Sequence, residues 1–262
     1  VSRADPHGDG KTWLALTRKE SGSVELFAEM VCDVAGALDA VAAEGQERIL
    51  RALLSRVRSW QEFMRKGAQA LSPEAELGLV GELLFLGAML DAGVPAKVSL
   101  DSWVGPLNGV QDFELGTGAV EVKATLSPQG FPAKIGSLEQ LDDSVRKPLF
   151  VAGARLSQRE SGTNLSELTA SVREKLADDA AAVSVLAARL LAAGYAEAHA
   201  DRYPRRFASE GMRVVEVGDG FPRLTPGSVP GGIRRAIYEI DLDRAPGVDD
   251  GVAGALRKLG AL

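Results

Sequence analysis

A chain of 262 residues with 36 acidic against 30 basic side chains, net charge −6, and 45% hydrophobic residues has an ordinary globular composition, long enough for one large domain or two small ones. The acidic balance excludes a protein that coats nucleic acid by bulk electrostatics, though not one with a local basic groove. No apolar run approaches the about 20 residues that span a bilayer, the opening Val1-Ser2-Arg3-Ala4-Asp5 lacks an apolar signal core, and a single Cys excludes an internal disulfide; together these point to the cytoplasm and to no membrane partner.

Residues 7–12 read His-Gly-Asp-Gly-Lys-Thr and end as a phosphate loop does. Two requirements of that loop fail: Asp5 stands where a glycine is needed, and the strand signal, Trp13-Leu14-Ala15-Leu16, follows the stretch. A β-turn feeding a short strand is the expectation. From 24 to 66 the spacing is helical, with Leu26, Phe27, Met30, Val31, Val34 and Leu38 in one run and Ile49, Leu50, Leu53, Leu54, Val57, Trp60 and Phe63 in the next. The break at Glu44-Gly45 predicts an antiparallel helix pair. Cys32 lies in the first run and is expected as a packed core thiol; with only His7 and His199 besides, it cannot complete a zinc site of the usual spacing. The second run carries Arg48, Arg51, Arg56, Arg58, Arg65 and Lys66, read as a solvated face balanced by Glu44, Glu47 and Glu62 in preference to a DNA-facing stripe.

Ser72-Pro73-Glu74 is a helix start, with Ser72 at the N-cap and Pro73 in the first turn, and the helix is predicted to end near Gly93. It is apolar almost all round, so it should be buried. Glu82 stands in its middle, where an unpaired ionised carboxylate would cost several kcal/mol; it should be paired or bind a metal. Residues 111–125 then read as a β-hairpin: Gln111-Asp112-Phe113-Glu114-Leu115, a Gly116-Thr117-Gly118 turn, and Ala119-Val120-Glu121-Val122-Lys123-Ala124-Thr125. Alternation puts Glu121 and Lys123 on one face, and pairing across the turn brings Asp112 near Glu121. Two carboxylates and an ammonium in one small volume suit a hard divalent cation, which takes one or two carboxylates plus waters and phosphate oxygens. By itself, Glu121-Val122-Lys123 also fits an exposed strand face with a weak ion pair.

Pro148-Leu149-Phe150-Val151-Ala152-Gly153-Ala154 is apolar throughout and predicts a buried strand of the same sheet. Residues 158–164 read as a loop and a boundary, dividing the chain into an N-terminal strand and helix-pair region (1–70), a core (71–157) and a C-terminal helical and strand region (158–262). Two helices follow, 165–177 and 180–193, the second ended by Gly194. Residues 201–207 mix Arg202, Arg205 and Arg206 with Tyr203 and Phe207, a composition that fits either contact with a phosphate backbone or an anchored surface loop. Strands are predicted at 212–217 and 233–242, joined through Pro222, Pro226 and Pro230.

Asp112, eight intervening residues and Glu121-Val122-Lys123 resemble the D-(x)n-(D/E)-x-K signature of the PD-(D/E)XK nuclease superfamily; Gln111 stands where the proline of that name would be. Glu82 matches the acidic residue that members carry on the helix before the hairpin, and residues 135–141 resemble the helix start where many place a Gln, here Gln140. The wider pattern, with Gly81-Glu82-Leu83-Leu84-Phe85, Trp103-Val104-Gly105-Pro106, Glu139-Gln140-Leu141, Val217-Gly218-Asp219-Gly220-Phe221-Pro222 and Tyr238-Glu239-Ile240-Asp241-Leu242, is similar to a bacterial family of PD-(D/E)XK motif proteins found with restriction and phage-defence genes. The resemblance covers most of residues 70–245. It implies an α/β (α+β) fold: a restriction-endonuclease-like core of a mixed sheet flanked by helices, with N-terminal helical and C-terminal α/β additions. It implies a metal-dependent endodeoxyribonuclease whose Asp112, Glu121, Glu82 and Val122 carbonyl bind Mg²⁺ or Mn²⁺, whose Lys123 positions the attacking water, and whose Gln140 orients Lys123 or a phosphate. DNA is the implied substrate, with Arg202, Arg205 and Arg206 as candidate backbone contacts, and partners could include other defence subunits or a second copy of the chain. The acidic charge motivates the alternative, a catalytically silent DNA-binding or interaction subunit that keeps the fold.

Overall fold

The computed structural model describes residues 2–4, 8, 10, 13–65 and 69–262. An N-terminal hairpin pairs β1 (Ser2–Ala4) antiparallel with β2 (Trp13–Ala15). A strand therefore does precede the Gly-Lys-Thr stretch, against the sequence expectation, but it returns as a hairpin; most of that turn, including His7, lies outside the described residues. Helices α1 (Val24–Asp39) and α2 (Gln46–Arg65) then pack on each other, α1 being started by Ser23, whose hydroxyl accepts the Leu26 amide at 3.1 Å. The expected thiol burial fails: Cys32 is exposed. The buried face of α1 is set by Leu26, Val34 and Ala37, and Cys32, two residues from Val34, points off it.

Helix α3 (Pro73–Asp91) starts at Ser72, whose side chain accepts the Ala75 amide, and runs to the Gly93 turn at φ 89°, where only glycine is comfortable. Its Leu79, Val80, Leu83, Phe85, Leu86 and Met89 are all buried, as all-round apolarity requires. After α4 (Ala96–Ser102) come β3 (Phe113–Leu115) and β4 (Gly118–Thr125), joined by the two-residue turn Gly116-Thr117, one residue tighter than expected. Then follow β5 (Pro132–Ile135), β6 (Leu149–Asn164), α5 (Leu165–Lys175), α6 (Ala180–Ala193), β7 (Arg206–Glu216), β8 (Tyr238–Asp241) and α7 (Gly251–Lys258).

The central sheet has the order β3-β4-β6-β7; β3 and β7 are antiparallel to their neighbours and β4 is parallel to β6. It is a mixed sheet flanked by helices, consistent with the restriction-endonuclease-like expectation. One face buries Val120, Val122, Phe150 and Ala152 with Leu79, Leu83 and Leu86 of α3 and residues of α5, α6 and α7. The other face buries Ala119 and Val151 under Phe131, Ala133, Ile135, Ile240 and Leu242, contributed mainly by the two-stranded β5-β8 ribbon.

Three local expectations are corrected. Residues 158–164 are not a loop: they continue β6 through a bulge in which Gln158 and Thr163 both face Phe207. Their polarity reflects an exposed strand end, which sequence pattern does not separate from a loop. Residues 136–141 form turns, not a helix, because the chain leaves β5 at Ile135. The final strands are redistributed, β7 beginning at Arg206 and β8 only at Tyr238.

Gly118 opens β4, and a Cβ there would lie 2.3 Å from the Pro148 carbonyl oxygen and 2.4 Å from Leu259 Cδ2. Gly118→Ala should therefore lower stability by about 1–3 kcal/mol, read as a shift of the urea midpoint at unchanged slope. An unchanged midpoint would mean that β4 is not held this closely.

Candidate active site

Strand β3 is short. It pairs Leu115, Glu114 and Phe113 with Gly118, Ala119 and Val120, and then stops, leaving the edge of β4 from Glu121 onward without a strand partner. The side chain of Asp112 takes over that role, its Oδ2 accepting the Val122 amide at 2.8 Å. A residue's N–H and C=O point to the same side of a strand, so the Val122 carbonyl also faces this open edge. Asp112 itself is held by its own carbonyl, which accepts the amides of Val104 and Gly105 at 2.9 Å.

Glu82 approaches from the other side. On α3, Gly81 lies so close to β4 that a Cβ would meet Ala124 Cβ at 3.0 Å, and this approach brings the next residue, Glu82, to the sheet edge. Its Oε2 accepts the Trp103 indole N–H at 2.6 Å. A Cβ built on Gly105 would stand 2.8 Å from Asp112 Oδ1 and 3.1 Å from Glu82 Oε2, so the two carboxylates share one small space that only glycine leaves open. A cleft of about 350 Å³ lined by Glu82, Gly105, Asn108 and Asp112 leads to it. A larger cavity of about 490 Å³ lies against α1 and α6 and contains none of the five predicted catalytic residues.

Glu121 and Lys123 project to the β5-β8 face. Glu121 is 1% exposed, and its Oε1 accepts from Lys123 Nζ at 2.6 Å and from Gln140 Nε2 at 2.9 Å. Its Oε2 is buried with no hydrogen-bond partner among the described residues. Gln140 is fixed at its other end by the Gly136 amide, which donates to Oε1 at 2.6 Å. Buried Gln111, in the place of the signature proline, donates from Nε2 to the carbonyls of Glu139 and Gln140 at 3.2 Å each and so braces the segment that presents Gln140.

Three carboxylates thus press on one ammonium. Burial, then repulsion from Asp112, pushes Glu82 up to about 8, opposed by the Trp103 N–H and by Lys123. Burial and Asp112 likewise push Glu121 up to about 8, against the pull of Lys123. Burial also raises Asp112, opposed by the Val122 amide and Lys123.

Predicted site residues are thereby brought together, with one correction. Among the described residues, no group of three or more His, Cys, Asp or Glu side chains is arranged to hold a metal ion. Glu82 comes from the α3 side of the sheet and Glu121 from the β5-β8 side, and Asp112 stands at the edge between them; the three do not form one cage. A Mg²⁺-like ion does not require one, since it is satisfied by one or two carboxylates plus waters. The surplus of carboxylates over cations, and a Glu121 Oε2 with no hydrogen-bond partner among the described residues, both fit a cation at this edge.

Arg202 is exposed, while Arg205 and Arg206 are engaged inside the molecule. Arg205 binds Glu76 at 2.7 Å and the Pro73 carbonyl, and Arg206 binds Glu167 at 2.8 Å and the Gly162 carbonyl. Trp103, Gly105 and Gln111 were missed as site-shaping residues. The requirement that Glu82 be paired pointed to a buried donor, but nothing in the spacing singled out an indole 21 residues away.

A family model described as "Putative PD-(D/E)XK family member, (DUF4420)" matches residues 2–243. Comparison with curated proteins and with solved structures finds no similar chain.

The raised pKa values fix the sign of the pH dependence. Between the ordinary carboxylate value of 4.5 and about 8, the folded chain holds protons on Glu82 and Glu121 that the unfolded chain has released, so this contribution to stability falls as pH rises through that window. Without added metal, the wild type should lose stability relative to Glu82→Gln/Glu121→Gln by on the order of a few kcal/mol across it. Parallel urea-denaturation curves for the two proteins at every pH would rule out the clustered, desolvated carboxylates.

Proposed function

The chain belongs to this PD-(D/E)XK family, and from that premise we propose that it is a metal-dependent nuclease, an endodeoxyribonuclease of a restriction or phage-defence system. The observation that carries the proposal is the edge of β4, where Asp112 caps the Val122 amide while Glu82 and Glu121 converge on it from either face and share a single lysine. One buried and two half-buried carboxylates against one ammonium make a poor structural ion cluster and suit a cation site.

In this reading Asp112, Glu121 and the Val122 carbonyl hold Mg²⁺ or Mn²⁺, with Glu82 as a further ligand or as an acceptor for a bound water. The cation supplies charge to the scissile phosphate and lowers the pKa of an attacking water. Lys123 donates from Nζ to that water or to a phosphate oxygen, where negative charge grows in the transition state. Gln140 fixes the rotamer of Glu121 by bonding Oε1, which leaves Oε2 as its open oxygen. Trp103 fixes Glu82 in the same way. The substrate is DNA, and neighbouring defence subunits or a second copy of the chain are candidate partners.

A second reading has a specific observation behind it. Lys123 closes onto Glu121 at 2.6 Å, a neutral pair that a catalytically silent subunit would also keep. Plasmid cleavage and calorimetry separate the two. With Mg²⁺ or Mn²⁺ the wild type should nick or linearise supercoiled DNA, and Asp112→Asn and Lys123→Ala should each cut it at least about 100-fold more slowly. Asp112→Asn keeps an oxygen for the Val122 amide, so its fold should persist while the stabilisation of the protein by metal shrinks. A wild type that takes up neither cation and leaves DNA intact, with or without neighbouring gene products, would leave only the silent subunit.

A further inference from the structure

From Gly220 to Tyr238 the chain carries three arginines and no carboxylate, in a protein with 36 acidic residues and a net charge of −6. Arg223, at the base of this stretch, is anchored: its Nη1 donates to the Leu141 carbonyl at 2.9 Å and to Asp143 at 2.8 Å. Arg234 and Arg235 are exposed and make no ion pair or hydrogen bond among the described residues, whereas Arg205 and Arg206 are spent on Glu76 and Glu167. Ile233 and Ile237 are 46% and 55% exposed, so this arm commits little apolar surface to the protein's own core.

The arm is rooted beside the candidate active site at both ends. The Leu224 amide donates to the Tyr238 hydroxyl at 2.9 Å, closing the base. Tyr238 opens β8 and pairs with Ile135, the last residue of β5. The next residue, Gly136, donates its amide to Gln140, and Gln140 donates to Glu121. Lys123 and Arg223 both act on the Tyr238 hydroxyl, lowering a pKa that burial raises. Arg235 stands three residues before Tyr238, at most about 10 Å of extended chain. Two guanidinium groups without a partner among the described residues therefore sit on an exposed segment that leads through Tyr238 to the ribbon end carrying Gln140, and guanidinium is the group best matched to the paired oxygens of a phosphodiester.

We propose that the segment 224–237 is a DNA-backbone clamp, in which Arg234 and Arg235 grip phosphates of the strand presented to the β4 edge. The proposal rests on the nuclease reading and assigns it the basic surface that the overall charge lacks. Contacts of this kind position the duplex without reading sequence, and each adds to the salt dependence of binding.

The test measures fluorescence anisotropy of a labelled DNA duplex across a salt series, with Ca²⁺ in place of the active cation, alongside plasmid cleavage in Mg²⁺. Arg234→Gln/Arg235→Gln should weaken binding at least about tenfold and lower the slope of log K against log salt by about 2, one for each phosphate that is no longer neutralised. Cleavage should show a raised KM with kcat retained, Arg234→Lys/Arg235→Lys should recover much of the salt slope, and Arg58→Gln, on α2, should match the wild type. A double Gln variant whose binding, slope and KM equal those of a DNA-binding wild type overturns the clamp and leaves the nuclease reading standing. A wild type that neither binds nor cuts DNA overturns the nuclease reading, and the clamp with it. Weakening of binding in the Lys variant to the same extent as in the Gln variant, with the melting temperature also lowered, would overturn the clamp in favour of a structural role for the arm.

Discussion

The early end of β3 is the constraint from which the candidate site follows. A strand edge inside a folded chain must find partners for its N–H and C=O groups, and β4 loses its antiparallel partner after Val120. The Asp112 carboxylate replaces the missing strand at Val122, which fixes that carboxylate at the sheet edge and turns the Val122 carbonyl the same way. A longer β3 would have covered the edge and displaced Asp112. The Asp112 carbonyl, on the side away from β4, accepts the amides of Val104 and Gly105, which ties the residue to the turn before β3.

Two layers of packing then deliver the other charges. Gly81 allows α3 to press on Val122 and Ala124, close enough for Glu82 to reach round the edge. On the opposite face, Gly153 of β6 does the equivalent for the β5-β8 ribbon: a Cβ there would meet Leu242 at 2.5 Å and Phe131 at 3.0 Å. That close ribbon buries Glu121 and brings Gln140 onto it. The same packing that assembles the carboxylates makes their ionisation costly, which raises Glu82 and Glu121 to about 8. The geometry of the site is consequently set by the same two glycines and the side chains they admit.

Much of this was legible in the sequence because it is local. The Ser72 cap, the Gly93 stop, the alternation of Glu121 and Lys123, and the apolar run at 149–154 are each dictated by a few adjacent residues, and the structure has them where expected. That Glu82 needs a partner was also readable, since a helix apolar almost all round leaves a carboxylate no fully solvated face. What was not legible depends on long-range placement. The chain at 136–141 has a helix-like composition but is captured by Gln111 and by Glu121, contacts made across the fold. Polar residues 158–164 look like a loop because exposed strand ends and loops share a composition. Cys32 misled for a subtler reason: its helix has enough apolar residues for two faces, and only the packing of α2 and α6 decides which is buried.

Arginine count misled in the same way. A cluster such as Arg202, Arg205 and Arg206 invites a nucleic-acid reading, yet two of the three are committed to Glu76 and Glu167, and they tie α3 and α5 to the start of β7. Arg155 with Asp243 is spent likewise on joining the end of the ribbon to the sheet, and Arg223 with Asp143 on joining the segment after β7 to the turns after β5. An acidic protein of this kind uses most of its guanidinium groups as internal clamps, each satisfied by a carboxylate or a carbonyl. Positive potential is then favoured where the sequence supplies arginine without a nearby acid. Net charge is therefore a poor guide to whether such a chain meets a phosphate backbone; the local absence of carboxylates, read together with which cations the fold leaves unpaired, is the better one.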